Sequence, residues 1–327
     1  MASSRRPASA PDPASAPDPG PGAAAEPGQG PKVTVSLREM CMKFRSKSAL
    51  DGLTLDVKSG EIFGVVGPNG SGKTTLLRCI CRALIPTAGS VTVLGRDIGD
   101  YSNKEFAGVI SALLPQWPSG FSMKAYEIIL MGCRNRSGGI WWDSPAEYHS
   151  VYEVLNLLHA EDLAERDFET LSSGEQRKVL LAKSLVQQTD IVLLDEPVAF
   201  LDLKHKLEVM EVLKYLADRG KTVITSLHEL DLASKYCHNI IVLKGGRVVT
   251  AGKPREVITT DLLREVYEVE AEVRWDDTCN YPIIIPKLPA NGSGNGKDGI
   301  KFTGSSYGYG KTSERRDLCP NAKARAG

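Results

Sequence analysis

The run Gly67-Pro68-Asn69-Gly70-Ser71-Gly72-Lys73-Thr74 constrains this chain more than any other stretch. It follows an apolar segment, Glu61–Val66, that reads as a strand. It precedes a helical pattern over Thr74–Leu84, with Pro86 as the stop. A glycine-rich turn between strand and helix lets successive backbone N–H groups converge on one anion. The positive N-terminal end of the helix adds to that attraction. Lys73 is placed to neutralise β- and γ-phosphates, and the Thr74 hydroxyl is a ligand for Mg²⁺. The alternative, a glycine-rich turn beside a surface lysine, does not account for the flanking strand and helix.

A second chemical signal lies at Ile191-Val192-Leu193-Leu194-Asp195-Glu196-Pro197, two acids ending an apolar strand. By itself this could be a turn into solvent. In an open α/β sheet, however, the C-terminal ends of strands line the ligand crevice. There Asp195 can hold Mg²⁺ and Glu196 can act as a general base toward water. Strands are expected at Val33–Leu37, Leu53–Val57, Val91–Leu94, Val109–Leu114, Asp190–Leu194, Lys221–Ser226, Asn239–Leu243 and Arg247–Thr250. Helices are expected at Met123–Met131, Ala146–Leu158, Ala160–Arg166, Glu175–Val186, Leu203–Asp218 and Asp261–Val266. Helices alternating with short apolar strands predict an α/β fold with a mostly parallel core sheet. The early and late strands without helices predict an added antiparallel sheet.

The ends of the chain differ from its middle. Residues 1–31 hold 8 Pro, 8 Ala and 4 Gly, and cannot bury enough surface to offset ordering entropy. Arg5-Arg6 is followed by no apolar region, so an export signal is not expected there. Residues 290–327 hold 8 Gly and a net charge of +4, dispersed as in a flexible tail. The expected folded unit is 32–289. With 40 Lys+Arg against 40 Asp+Glu, there is no chain-wide basic field, and no nucleic-acid partner is expected. No run approaches the roughly 20 apolar residues of a spanning helix. The seven scattered cysteines, none in a C-x-x-C pair, read as reduced thiols with no metal site.

Leu171-Ser172-Ser173-Gly174-Glu175 lies just ahead of an apolar helix and reads on its own as a capping box. It also closely resembles the L-S-G-G-Q signature of the ATP-binding cassette (ABC) ATPases, with Ser173 and Glu175 as departures. The other elements of that family follow in order. Gln116 matches the Q-loop glutamine, Leu201-Asp202 the D-loop, and His228 the switch histidine. Phe44, in the loop after the first strand, is the candidate for stacking on adenine. The resemblance covers about 33–275 and implies an antiparallel β-subdomain and a helical subdomain at about 118–172. It implies Glu196, His228 and Gln116 as catalytic residues. It implies ATP contacts from Phe44, Gly67, Pro68, Asn69, Gly70, Ser71, Gly72, Lys73, Thr74, Thr75, Ser172, Ser173, Gly174, Glu175 and Asp202. Mg²⁺ would be held by Thr74, Gln116 and Asp195.

The family also implies a head-to-tail dimer, with ATP between the phosphate loop of one copy and the signature of the other. One set of motifs means a homodimer or a close relative as partner. Met123–Arg134, Leu201–Val209 and Ala251–Ile258 with Leu262–Tyr267 resemble stretches of the iron-siderophore, haem and cobalamin importers. That branch implies a separate transmembrane permease, an external substrate-binding protein, and a peripheral place on the cytoplasmic face of the membrane. The helical insert would receive the permease. Two other assignments stay open: a soluble ABC ATPase of iron–sulfur cluster assembly, and the ATPase of an exporter.

Overall fold

The computed structural model describes residues 32–45, 47–114, 122–137, 144–276 and 281–287. The chain divides into Met1–Lys287 and Leu288–Gly327, and every described residue belongs to the first unit. The two tails and the segment containing Gln116 lie outside the described residues, as do Cys279 and Cys319.

The strands are β1 (Val33–Phe44), β2 (Lys47–Lys58), β3 (Ile62–Val66), β4 (Ala88–Val93), β5 (Arg96–Asp97), β6 (Ile110–Leu113), β7 (Ile191–Asp195), β8 (Thr222–Ser226), β9 (Asn239–Lys244), β10 (Arg247–Gly252), β11 (Ala271–Asp276) and β12 (Tyr281–Pro286). The α-helices are α1 (Lys73–Ile80), α2 (Asn103–Val109), α3 (Ala125–Ser137), α4 (Pro145–Leu157), α5 (Ser173–Leu185), α6 (Leu203–Asp218), α7 (Leu230–Tyr236), α8 (Pro254–Val257) and α9 (Thr260–Tyr267).

The main sheet runs β10-β9-β3-β8-β7-β6, parallel from β9 to β6, with β10 antiparallel at the edge. Its central strands β3, β7 and β8 are buried along their whole length, as expected for a sheet covered on both faces. Alternation sorts their side chains into two cores. Ile191 and Leu193 join a core with α1 and the antiparallel sheet β2-β1-β4-β5; Val192 and Leu194 join the core with α3, α4 and α5. This alternation positions the site. It sends Asp195 to the same face as α1, and places Ser226 on that face beside it, because the two are register partners.

Several elements differ from expectation. Residue 109 ends a helix rather than starting a strand: Ser102 and Glu105 form a capping box that starts α2, and β6 begins only at Ile110. α1 stops at Ile80, ahead of Pro86, and Arg82 takes a left-handed φ of 62°. Over 160–166 the α-helical expectation gives way to a single 3₁₀ turn, Glu161–Leu163. The late strand β10 does not build a separate sheet but extends the main one. A further hairpin, β11–β12, was not anticipated.

Candidate functional site

The phosphate loop leaves β3 between β9 and β8 and enters α1. Gly67 has φ 146°, and a Cβ there would lie 2.2 Å from the Leu243 carbonyl oxygen on β9. Glycine alone lets the loop pass this close. Gly72 is the N-cap of α1 at φ 109°, with Leu50 Cδ2 2.8 Å from a notional Cβ. Lys73 is 5% exposed. Its ammonium donates to the carbonyl oxygens of Gly67 at 2.8 Å and Pro68 at 3.2 Å. Burial lowers its pKa, and the Glu196 and Asp195 carboxylates oppose that shift.

The loop borders a cleft of about 480 Å³, which Gly70 to Thr75 line together with Phe44 and Glu196. Phe44 is the last residue of β1 rather than a loop residue, and is 45% exposed. Asp195 is fully buried. Its Oδ1 accepts from Ser226 Oγ at 2.6 Å, whereas Oδ2 has no hydrogen-bond partner among the described residues. A buried carboxylate oxygen without a donor is costly, and it suits a hard cation held through oxygen. The buried Ser71 hydroxyl in the loop is likewise unpartnered. These donor types fit Mg²⁺. Glu196 Oε1 and His228 Nε2 are 2.5 Å apart, so the acid and the histidine act as a pair.

A second cleft, of about 400 Å³, is bordered by Ser172, Ser173, Gly174, Glu175 and Asp202. It shares no lining residue with the first. Ser172 caps α5, and its hydroxyl accepts from the Glu175 N–H while Glu175 Oε2 accepts from the Ser172 N–H at 2.8 Å. These capping bonds, with the Arg166 guanidinium, hold the Glu175 pKa below its ordinary range. Asp202 caps α6 by accepting from the His205 N–H at 2.9 Å.

The structure thus brings together the phosphate loop, Phe44, Asp195, Glu196 and His228. It leaves Ser172 to Glu175 and Asp202 elsewhere on the same chain. Gln116 lies outside the described residues. Two contributors were missed by motif reading. Ser226 accepts from the Glu196 N–H at 2.9 Å while donating to Asp195, so one hydroxyl positions both acids. Pairing β7 with β8 on a two-residue period could have found it. Arg177, on α5, donates to the backbone carbonyls of Asp195 and Glu196. No sequence signal points to that contact.

Residues 50–199 match the family profile described as ABC transporter. The chain is 34% identical over 254 residues to the probable siderophore transport system ATP-binding protein YusV of Bacillus subtilis, covering 77% of this chain and 92% of that one. It is 34% identical over 255 residues to the hemin import ATP-binding protein HmuV of Thermobifida fusca, covering 78% and 89%. Among solved structures, it resembles the dimeric post-hydrolysis state of the ATP-binding cassette MJ0796 bound to ADP and Pi. There the TM-score is 0.61 at 28% identity, over 68% of this chain and 99% of that one.

Proposed function

Because the chain belongs to the ABC transporter family of ATP-hydrolysing cassettes, we propose that it energises import of a metal chelate of the siderophore, haem or cobalamin class. In this reading it docks as a homodimer beneath a separate transmembrane permease, which an external binding protein supplies with cargo. The chain lies peripherally at the cytoplasmic face. Among the described residues no helix is long and apolar enough to cross a membrane, which is compatible with a permease that supplies the span.

The observation that carries the mechanism is the separation of the two clefts. In this reading the phosphate loop and Glu196, with His228 bonded to Glu196 and Asp195 tied to it through Ser226, make one half-site; Ser172 to Glu175 and Asp202 make the other. One chain therefore offers two halves that share no lining residue, and two copies head to tail complete two sites. In each site Lys73 and the loop N–H groups neutralise the β- and γ-phosphates of ATP. Phe44 stacks on the adenine. The Ser172 end of α5 from the other copy presents its hydroxyl and N–H groups to the γ-phosphate. Thr74, Gln116 and Asp195 would hold Mg²⁺, which when bound neutralises charge developing on the phosphates. Glu196 accepts the proton of the attacking water, and His228 fixes the direction of its carboxylate. ATP favours the closed dimer and phosphate release favours the open one, a population shift relayed to the permease.

The experiment is affinity purification of the tagged full chain from membranes of its source cell after cross-linking. A polytopic membrane protein recovered with it is the expected result. Recovery of a soluble iron–sulfur scaffold instead would reject the transport assignment and leave the ATPase standing.

A further inference from the structure

Glu196 leaves the end of β7 at φ 52°, a left-handed conformation that is unfavourable for a residue with a side chain. Such a conformation persists where its neighbours over-determine it, and here they come from three elements. Its N–H donates to Ser226 Oγ of β8, and its carboxylate meets His228. Its carbonyl oxygen accepts from Arg177 of α5, through Nε at 3.2 Å and through an Nη at 2.7 Å. The same Nη donates to the Asp195 carbonyl oxygen. Carbonyl groups at a buried strand end need donors, and a guanidinium supplies several in one rigid plane.

The origin of that guanidinium matters. α5 begins at the Ser172 cap, which borders the second cleft. About one turn further on, Arg177 reaches the acids of the first. A single short helix therefore touches both half-sites of one chain. Burial lowers the Arg177 pKa while the Asp195 and Glu196 charges raise it.

We propose that Arg177 is a positioning residue for ATP hydrolysis, fixing the peptide planes of Asp195 and Glu196 to the helix that carries the signature segment. Seating of that segment on a neighbouring copy's nucleotide is thereby tied to the setting of this copy's own base. The inference rests on Glu196 being the base, as argued above.

The test uses the full chain carrying R177M or R177K, with steady-state ATPase kinetics, and R177M placed in an E196Q background to follow ATP-driven dimerisation. A misplacement of about 1 Å at a catalytic group costs on the order of 100-fold in rate. R177M is expected to lower kcat by about 10- to 100-fold while KM for ATP changes by less than about threefold. R177K, which keeps a cation but not the fork, is expected to recover part of the loss. The E196Q/R177M protein is expected to dimerise with ATP as E196Q does, which shows that it folds and binds nucleotide. A kcat for R177M within about twofold of the parent overturns the proposal. So does loss of ATP-driven dimerisation in step with loss of rate, which makes Arg177 a packing residue. Full turnover by E196Q alone would remove the base assignment. The effect of Arg177 on kcat is read from R177M and R177K, which do not contain that substitution.

Discussion

Replacing Gly67 by Ala asks whether the phosphate loop is held by close backbone approach. The added Cβ would lie 2.2 Å from the Leu243 carbonyl oxygen, and 2.9 Å from Ser71 Oγ. The first contact is with backbone in β9, a strand paired with β3 along Phe63–Val66, so neither partner can rotate away. Relief requires the loop or β9 to move by about 1 Å. Overpacking of this kind costs about 1–3 kcal/mol, and a non-glycine residue at φ 146° adds about 1–3 kcal/mol. A destabilisation of about 2–6 kcal/mol corresponds to a Tm lower by about 4–24 °C for a domain of this size. Gly70 is the internal control. It also has positive φ, at 76°, but nothing lies within 4 Å of its notional Cβ. Gly70→Ala should therefore cost only about 1–2 kcal/mol of backbone strain. The assay is calorimetric or fluorescence melting of both variants, with ATP affinity measured beside it. Gly67→Ala should melt well below Gly70→Ala and bind ATP more weakly. Equal melting temperatures for the two would refute the close-approach argument, because both glycines have positive φ and only Gly67 has close neighbours, Leu243 and Ser71.

Two further perturbations follow from the same geometry. Lys73→Ala removes the cation from the loop and should weaken ATP binding by at least about tenfold, about 1.4 kcal/mol; unchanged affinity by titration would contradict the cradle assignment. Ser226→Ala removes the donor to Asp195 Oδ1 and the acceptor for the Glu196 N–H. It should destabilise the fold by about 1–3 kcal/mol in urea unfolding and lower kcat. Wild-type turnover would mean that this hydroxyl does not set the acids.

Much of the site was legible in the residues because its chemistry is written locally. The phosphate loop needs glycines, a lysine and a hydroxyl in one contiguous run. The Asp195-Glu196 pair needs only an apolar strand before it. The limits of α6 were read as they stand, Leu203–Asp218, because its apolar face repeats over four turns. Shorter elements escaped. α2 buries only Phe106, too little to show a helical period, so its last residue, Val109, was read as the start of the strand that follows. β11 and β12 alternate only partly between buried and exposed positions. Arg177 escaped for another reason. Its role arises where α5 meets the end of β7, and no spacing along the chain records that meeting, whereas finding Ser226 needed only the pairing of β7 with β8.

The composite site is most directly tested by ATP-driven dimerisation of the Glu196→Gln variant. The substitution keeps the size of the side chain and removes the base, so nucleotide should be bound but not consumed. Light scattering coupled to gel filtration, with ATP and Mg²⁺, should show a stable dimer for this variant and turnover close to zero. A variant that stays monomeric with saturating ATP bound, or that hydrolyses ATP at the parent rate, would contradict the account.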